Sequence, residues 1–298
     1  MINKSEILFL YESTYSMPNG DPFTGEQRYD DETKKVLVSD VRIKRFIRDY
    51  FVENGKDIYV INDKSQLGEG VKGSGSELRM KSLKAKFPDE KSAIELLKKC
   101  IDVRLFGGIS TEKSDAVNLT GAVQFALLNP SLNAADLRIH QNTSVFSSSE
   151  EKSRGAIGTT TVVPYSVNQI HGWINPFSAN HTGLTEDDIK EMFKALWESV
   201  NNANTRTKSN QNSLLLIQIV YSEPNKKLYG VDRLIKFDEA ARKMRDEQIR
   251  NSDDYSLDFS ELQKIFDSDK VSAVNFYTEK EDWRNQLAEF PKFVEMKI

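Results

Sequence analysis

Cysteine is almost missing from this chain: Cys100 is the only one in 298 residues. A single thiol excludes a disulfide framework and a thiolate metal cluster. Histidine is nearly as scarce. His140, His171 and His181 are the whole set, and none stands four residues from another, so a helical zinc pair is excluded. The Gly-x-Ser-x-Gly elbow of serine hydrolases is absent as well. No apolar run reaches membrane-spanning length, and the opening Met1-Ile2-Asn3-Lys4-Ser5-Glu6 lacks a signal-peptide pattern, so a cytoplasmic protein without a membrane partner is expected. There is no excess of positive charge either. A formal net charge of −4 counts against a nonspecific polyanion binder, although it leaves room for a local basic strip.

Such a strip is present. Lys34, Lys35, Arg42, Lys44, Arg45 and Arg48 face only Asp40 over that span. Ser39 is a good N-cap, and Ile43, Phe46, Ile47, Tyr50 and Phe51 recur at helical spacing, which predicts an amphipathic helix over residues 38–51. Arg42, Lys44 and Arg45 lie in its first turns, where the helix dipole disfavours cations and favours a bound phosphate. The alternative is an ordinary helix with a solvated basic face.

Residues 6–13 read as an apolar, central strand, followed by a turn-rich loop through Pro18-Asn19-Gly20-Asp21-Pro22. Further along, the patterning predicts a short strand at 58–61 and a Gly/Ser-rich loop at 68–76. A helix over 89–102 and strands at 118–129 and 162–175 follow. Thr185 caps a strongly amphipathic helix, and 214–221 is a buried strand. Two or three short helices and a strand at 271–277 complete the chain. The segment from 138 to 163 is polar, small and too poor in apolar residues to be core, so it reads as a protruding hairpin or loop. The order strand, helix, strand, strand, helix, strand fits a ferredoxin-like core of the kind RNA-recognition domains use, in one composite α+β domain.

Several motifs have two readings. Gly68-x-Gly70-x-x-Gly73 matches the dinucleotide fingerprint literally, but no strand leads directly into it and Ser74-Gly75-Ser76 is a poor helix start, which favours a loop. Asp21, Asp30 and Asp31 have the chemistry to hold a divalent ion, while Asn-Gly-Asp-Pro more commonly forms a turn whose Asp accepts backbone hydrogen bonds. Arg206 and Lys208, set among hydroxyls and amides at 204–210, suit a phosphate and a ribose 2′-OH, or are simply a polar loop. The same holds for Arg138, Gln141, Asn142 and Arg154. His140 and His171 flank the polar insertion as stacking or hydrogen-bonding candidates, or as plain surface residues.

Pro18-Asn19-Gly20-Asp21-Pro22, Arg28-Tyr29-Asp30 and Val38-Ser39-Asp40-Val41, with Lys44-Arg45 and Ile47-Arg48-Asp49, resemble the opening of a CRISPR-associated family. It is the Cas-seven backbone subunit of type I-B Cascade effector complexes. Asp102-Val103-Arg104-Leu105-Phe106-Gly107-Gly108, Thr120-Gly121-Ala122-Val123-Gln124-Phe125, Gln141-Asn142-Thr143 and Thr205-Arg206-Thr207-Lys208-Ser209 continue the likeness, from about residue 6 to 222. Met17 and Gln27 depart from the family pattern.

The resemblance implies a modified ferredoxin-like (RNA-recognition-motif) core with a projecting β-hairpin thumb at about 138–163 and a second, finger-like insertion at about 62–88. The core would comprise about 5–62, 89–135, 162–222 and 270–278, with a C-terminal helical segment at 230–268. It implies a non-enzymatic subunit that polymerises along CRISPR RNA and presents it for pairing with target DNA, beside other copies of itself and other Cascade subunits, with no cofactor and no metal. Arg42, Lys44, Arg45 and Arg48 would neutralise phosphates, with Arg206 and Lys208 on the neighbouring loop. Arg138, Gln141, Asn142 and Arg154 would act from the thumb, Phe146 would wedge between bases, and Asn19, Ser39, Phe106, Gly107 and His171 would line the same surface. The rival reading is a type III-like subunit that cleaves target RNA with Asp21, Asp30 or Asp31.

Overall fold

The computed structural model describes residues 2–61, 75–110, 116–143 and 157–298. Its elements are, in order, β1 (Ser5–Ser16), β2 (Tyr29–Asp30), β3 (Lys35–Ser39), α1 (Asp40–Glu53), α2 (Ser76–Lys86), α3 (Ala93–Lys98), α4 (Ile101–Phe106), β4 (Gly107–Ser110) and β5 (Val117–Thr120). Then come β6 (Val123–Phe125), β7 (Leu128–Ala134), β8 (Arg138–Thr143), β9 (Ile157–Ile174), α5 (Pro176–Thr182), α6 (Glu186–Asn201) and β10 (Gln211–Tyr221). The chain closes with β11 (Lys236–Phe237), β12 (Leu257–Asp258), α7 (Gln263–Phe266), β13 (Val271–Tyr277), α8 (Glu281–Ala288) and β14 (Phe293–Glu295).

The result is a mixed α/β protein around one large, mainly antiparallel sheet, with strand order β14-β13-β10-β1-β9-β7-β3-β2. β1 lies between β10 and β9 and pairs antiparallel with both. Its residues 7–11 have no exposed surface, because both faces of the sheet are covered. Ile7, Phe9 and Tyr11 pack with Ile43, Phe46 and Ile47 of α1 and Leu196 and Trp197 of α6. Leu8 and Leu10 point the other way, into Ile235, Phe259, Leu262 and Phe276 of the C-terminal segment. A strand buried on two sides reads as a continuous apolar run, the pattern that marks residues 6–13 as central. The segment after Glu223 therefore supplies most of the apolar layer on that second face of the sheet.

Local chemistry fixes the main elements. Ser39 caps α1 by accepting from the Arg42 N–H, and Ile43, Phe46, Ile47 and Phe51 form its buried stripe. Thr185 and Asp188 form a reciprocal capping box at the start of α6. Asp188 also takes a two-pronged ion pair from Arg104, Nε to Oδ2 at 2.9 Å and Nη2 to Oδ1 at 2.6 Å. Burial pushes the Asp188 carboxyl up, but Arg104 and the Thr185 N–H outweigh it and hold the group below its ordinary value.

Three expectations are corrected. Residues 58–61 form no strand: the fully buried Asp102 carboxylate takes the N–H groups of Tyr59 at 2.7 Å and Val60 at 3.1 Å. The expected helix over 89–102 is two short ones, α3 and α4, meeting at Cys100 in extended conformation. Arg104 stabilises the break by donating to the carbonyls of Lys98 and Lys99 at the end of α3. The Cys100 thiol is buried there, its pKa pushed up to about 12, so it is a packing residue. The strand expected at 118–129 is divided among β5, β6 and β7. Most of the Gly68–Ser76 loop, together with Phe146 and Arg154, lies outside the described residues.

Candidate nucleic-acid interface

The site begins where β1 ends. The 205–210 loop lies against it through Thr14 N–H to Asn210 O and Met17 N–H to Thr207 O, both 2.9 Å. These bonds bring Lys208 near Arg42 in the first turn of α1 and leave Arg206 facing the β8–β9 hairpin. The Lys208 ammonium donates to the Met17 carbonyl at 2.6 Å. Arg42 approaches from α1 with its guanidinium over the Phe46 ring, 3.7 Å from the centroid. Burial, followed by the charge of Arg42, lowers the Lys208 pKa to about 8. Burial likewise lowers Arg42 below its ordinary value. Among the described residues neither cation is in ion-pair contact with a carboxylate, and Arg42 Nε and the fully buried Tyr11 hydroxyl have no hydrogen-bond partner. Asp49 acts on Arg42 only at a distance, and two partly desolvated cations without a carboxylate in contact form a site for an anion.

The other basic residues of α1 are placed differently. Lys44 turns to Asp40 and the Gln124 side chain, at 3.1 and 3.2 Å. Arg48 donates Nε to buried Asp102 at 2.8 Å and covers the Phe106 ring. Arg45 pairs with Asp49 one turn on, and with Arg42 and Arg28 it lines a cleft at the start of α1. Phe106 and Gly107 are positioned by close backbone contact. Gly107 has φ +80°, and a Cβ there would lie 2.2 Å from the Leu119 carbonyl oxygen. A Cβ on Gly121 would come within 2.1 Å of the Phe106 carbonyl carbon. The glycines of both motifs thus let two backbone segments touch.

Beyond Lys208 the run continues to the hairpin formed by β8 and β9, paired from Arg138↔Val162 to Thr143↔Ile157. Arg138, His140, Asn142, Arg206 and Thr207 line one cleft of about 550 Å³ with Tyr15, Met17 and Ile139. With its amide oxygen turned to Arg206, Asn142 accepts from Nη2 at 2.6 Å and donates to His140 Nε2 at 2.6 Å. Gln141 is exposed on the same strand. The structure does not bring His171 here. It lies opposite Leu8 on β9, roughly 26 Å along the strand from Val163. There its Nε2 meets buried Glu6 at 2.7 Å, and Tyr221 donates to the same carboxylate.

The loop before α1 is held by side chains. Asn19 accepts from Ser39 N–H at 2.6 Å, and its own N–H goes to the Gln27 side chain at 2.9 Å. Gln27 is buried and takes its main-chain hydrogen bond to Thr161 of β9. Asp21 accepts from Phe23 N–H and Thr24 N–H and pairs with Arg28 at 3.0 Å, and these backbone bonds hold its carboxyl below the usual range. Asp30 closes a similar turn with Glu32 and Thr33. The position that sequence patterning did not single out is Tyr15. An exposed aromatic at the end of a buried strand is the available signal, but its role depends on a fold contact.

The fold is similar to that of chains solved in two CRISPR surveillance complexes. A chain of a "CRISPR RNA-guided surveillance complex, pre-nicking" superposes with a TM-score of 0.57 at 14% identity, covering 99% of this chain and 96% of that one. A second, from a "CRISPR RNA-guided surveillance complex", gives 0.51 at 14% identity over 93% and 90%. The profile of CRISPR-associated protein Cas7 matches residues 3–260, and the chain belongs to that family. CRISPR-associated protein Cas7 of Haloferax volcanii is 26% identical, over 92% of this chain and 86% of the relative. The family resemblance read from the sequence is borne out.

Proposed function

We propose that this protein is a non-enzymatic, CRISPR RNA-binding backbone subunit of a type I-B surveillance complex, polymerising along the guide beside other copies and other subunits. The Arg42–Lys208 pair carries the reading: two cations, partly buried and without a carboxylate partner, at the start of a basic run that continues through Arg206 and Arg138. A guide phosphate supplies the missing charge. Arg45 and Arg28 extend the run past the N-terminus of α1. Asn142 and Gln141 add sugar and phosphate contacts from the hairpin, and Arg154 and Phe146 fall beyond its described part. Lys44, Arg48, Asn19, Ser39, Phe106 and Gly107 position this surface from behind.

The order β10-β1-β9-β7, with α1 and α6 on one face, supports an RNA-recognition-motif core. The β8–β9 ladder supports a thumb rooted at residues 138–163. A grip on phosphate and sugar leaves guide bases available for pairing with target DNA. The turn-closing bonds of Asp21 and Asp30 support a loop built for shape rather than for cleavage.

The test is purification from cells carrying a CRISPR array and the partner subunits, with wild type beside Arg42→Ala/Lys208→Ala. A discrete guide-sized RNA with wild type and its loss in the variant is expected. Equal RNA recovery from both would remove these residues from the interface, and no RNA with wild type would overturn the reading.

A further inference from the structure

The geometry points to a nucleobase subsite in the cleft between the end of β1 and the β8–β9 hairpin, with the Tyr15 ring as its stacking platform. This rests on the RNA-binding reading and adds a base-contacting residue to it.

Tyr15 has φ +44°, in the left-handed region that a bulky side chain rarely enters. Its position in the ladder explains how that conformation is accommodated. Thr14 pairs with Tyr165 and Ser16 with Val163, which leaves Tyr15 opposite Pro164, a residue with no N–H to donate. Glycine or asparagine would occupy this backbone with less strain. The chain instead places a tyrosine that is 61% exposed, with no aromatic partner among the described residues. Among the described residues Tyr15 is the aromatic that joins a left-handed backbone to an exposed ring, a combination consistent with a use outside the protein's own packing.

The surroundings say which ligand. Ile139, 73% exposed, and Met17 give the cleft apolar walls beside the ring. Its polar edge is His140, Asn142 and Arg206, joined by the hydrogen bonds described above. At about 550 Å³ the cleft lies within the usual small-ligand range of about 300–1,000 Å³. A flat π-face, hydrogen-bonding groups at one rim and cations for the adjoining phosphate are what an unstacked base of single-stranded RNA requires. An apolar protein side chain would leave the cationic rim unmatched.

The test uses the full-length protein and single-stranded RNA carrying 2-aminopurine, whose fluorescence reports stacking. Wild type, Tyr15→Phe, Tyr15→Gly and Tyr15→Asn are compared for affinity, salt dependence and thermal unfolding. Tyr15→Phe should bind within about twofold of wild type, since the ring face is retained. Tyr15→Gly and Tyr15→Asn should unfold no earlier than wild type, yet bind roughly 5- to 150-fold more weakly with an unchanged salt slope. Wild-type binding matched by Tyr15→Gly and Tyr15→Asn would overturn the subsite alone. A reduced salt slope in those variants would also overturn it, by making the loss one of phosphate contact. A wild-type protein that binds no RNA would overturn the subsite and the functional reading together.

Discussion

Lys208 donates its ammonium to the main-chain oxygen of Met17 at 2.6 Å, across 191 positions of sequence, and feels the charge of Arg42 on α1. Burial and that neighbouring charge bring its pKa down to about 8 from 10.5. Two opposite pH dependences follow. RNA binding needs the protonated ammonium, so affinity should fall as pH rises through about 8, and Lys208→Arg should flatten that part of the profile. Folding has the other sign. Between about 8 and 10.5 the unfolded chain holds a proton that the folded one has released, so this group makes the protein more stable as pH rises through that window. RNA titrations and urea melts from pH 7 to about 10 check both; parallel trends would show that Lys208 is not the group responsible.

Asp102 has no exposed surface and holds Arg48 and two backbone N–H groups. Breaking a buried pair from one side leaves an uncompensated charge. Arg48→Ala should therefore lower stability by about 3–5 kcal/mol in urea. In the folded protein it should leave the salt slope of RNA binding nearly unchanged. A slope reduced by roughly 0.7, with stability intact, would instead return Arg48 to the phosphate contacts.

Gly121→Ala introduces a Cβ at 2.1 Å from backbone, where no side chain can rotate away. The Phe106–Gly107 segment must move, and the variant should lose more than about 4 kcal/mol, enough to abolish soluble expression. Normal expression and melting would show that the two segments separate easily.

Removal of residues 223–298 should leave an insoluble chain, because Leu8, Leu10, Ile217 and Ile219 would face water on one side of the sheet. The milder Phe276→Ala, at a side chain 1% exposed, should lower stability by about 3–5 kcal/mol without altering RNA affinity in the folded protein. Soluble, RNA-competent material from the truncation would contradict the two-faced core.

Much of this was legible in the chain. The Ser39-capped helix, the Thr185 capping box, the apolar first strand and the hairpin base at Arg138–Val162 follow from local pattern and recur in the fold. The basic strip was legible as charge but not as geometry. Sequence spacing cannot say that Arg48 turns to Asp102, 54 positions away, while Arg42 lies over Phe46 within reach of the Lys208 charge. His171 lies away from the cleft for a related reason: a strand of eighteen residues carries its two ends to different places. Tyr15 was missed because its backbone conformation has no sequence signature and most of its cleft comes from the distant 138–162 and 206–207 segments.

The bonds around Gln27 and Asn19 have a mechanical consequence. Thr161 of the hairpin receives the Gln27 N–H, the Gln27 side chain receives the Asn19 N–H, Asn19 receives the Ser39 N–H, and Ser39 receives the Arg42 N–H. The hairpin is thus hinged to the first turn of α1 by four successive links, each formed by a side-chain oxygen. It cannot tilt at its root without snapping a link or dragging Arg42 with it. A load applied at the hairpin is felt at the cation pair as a change of position.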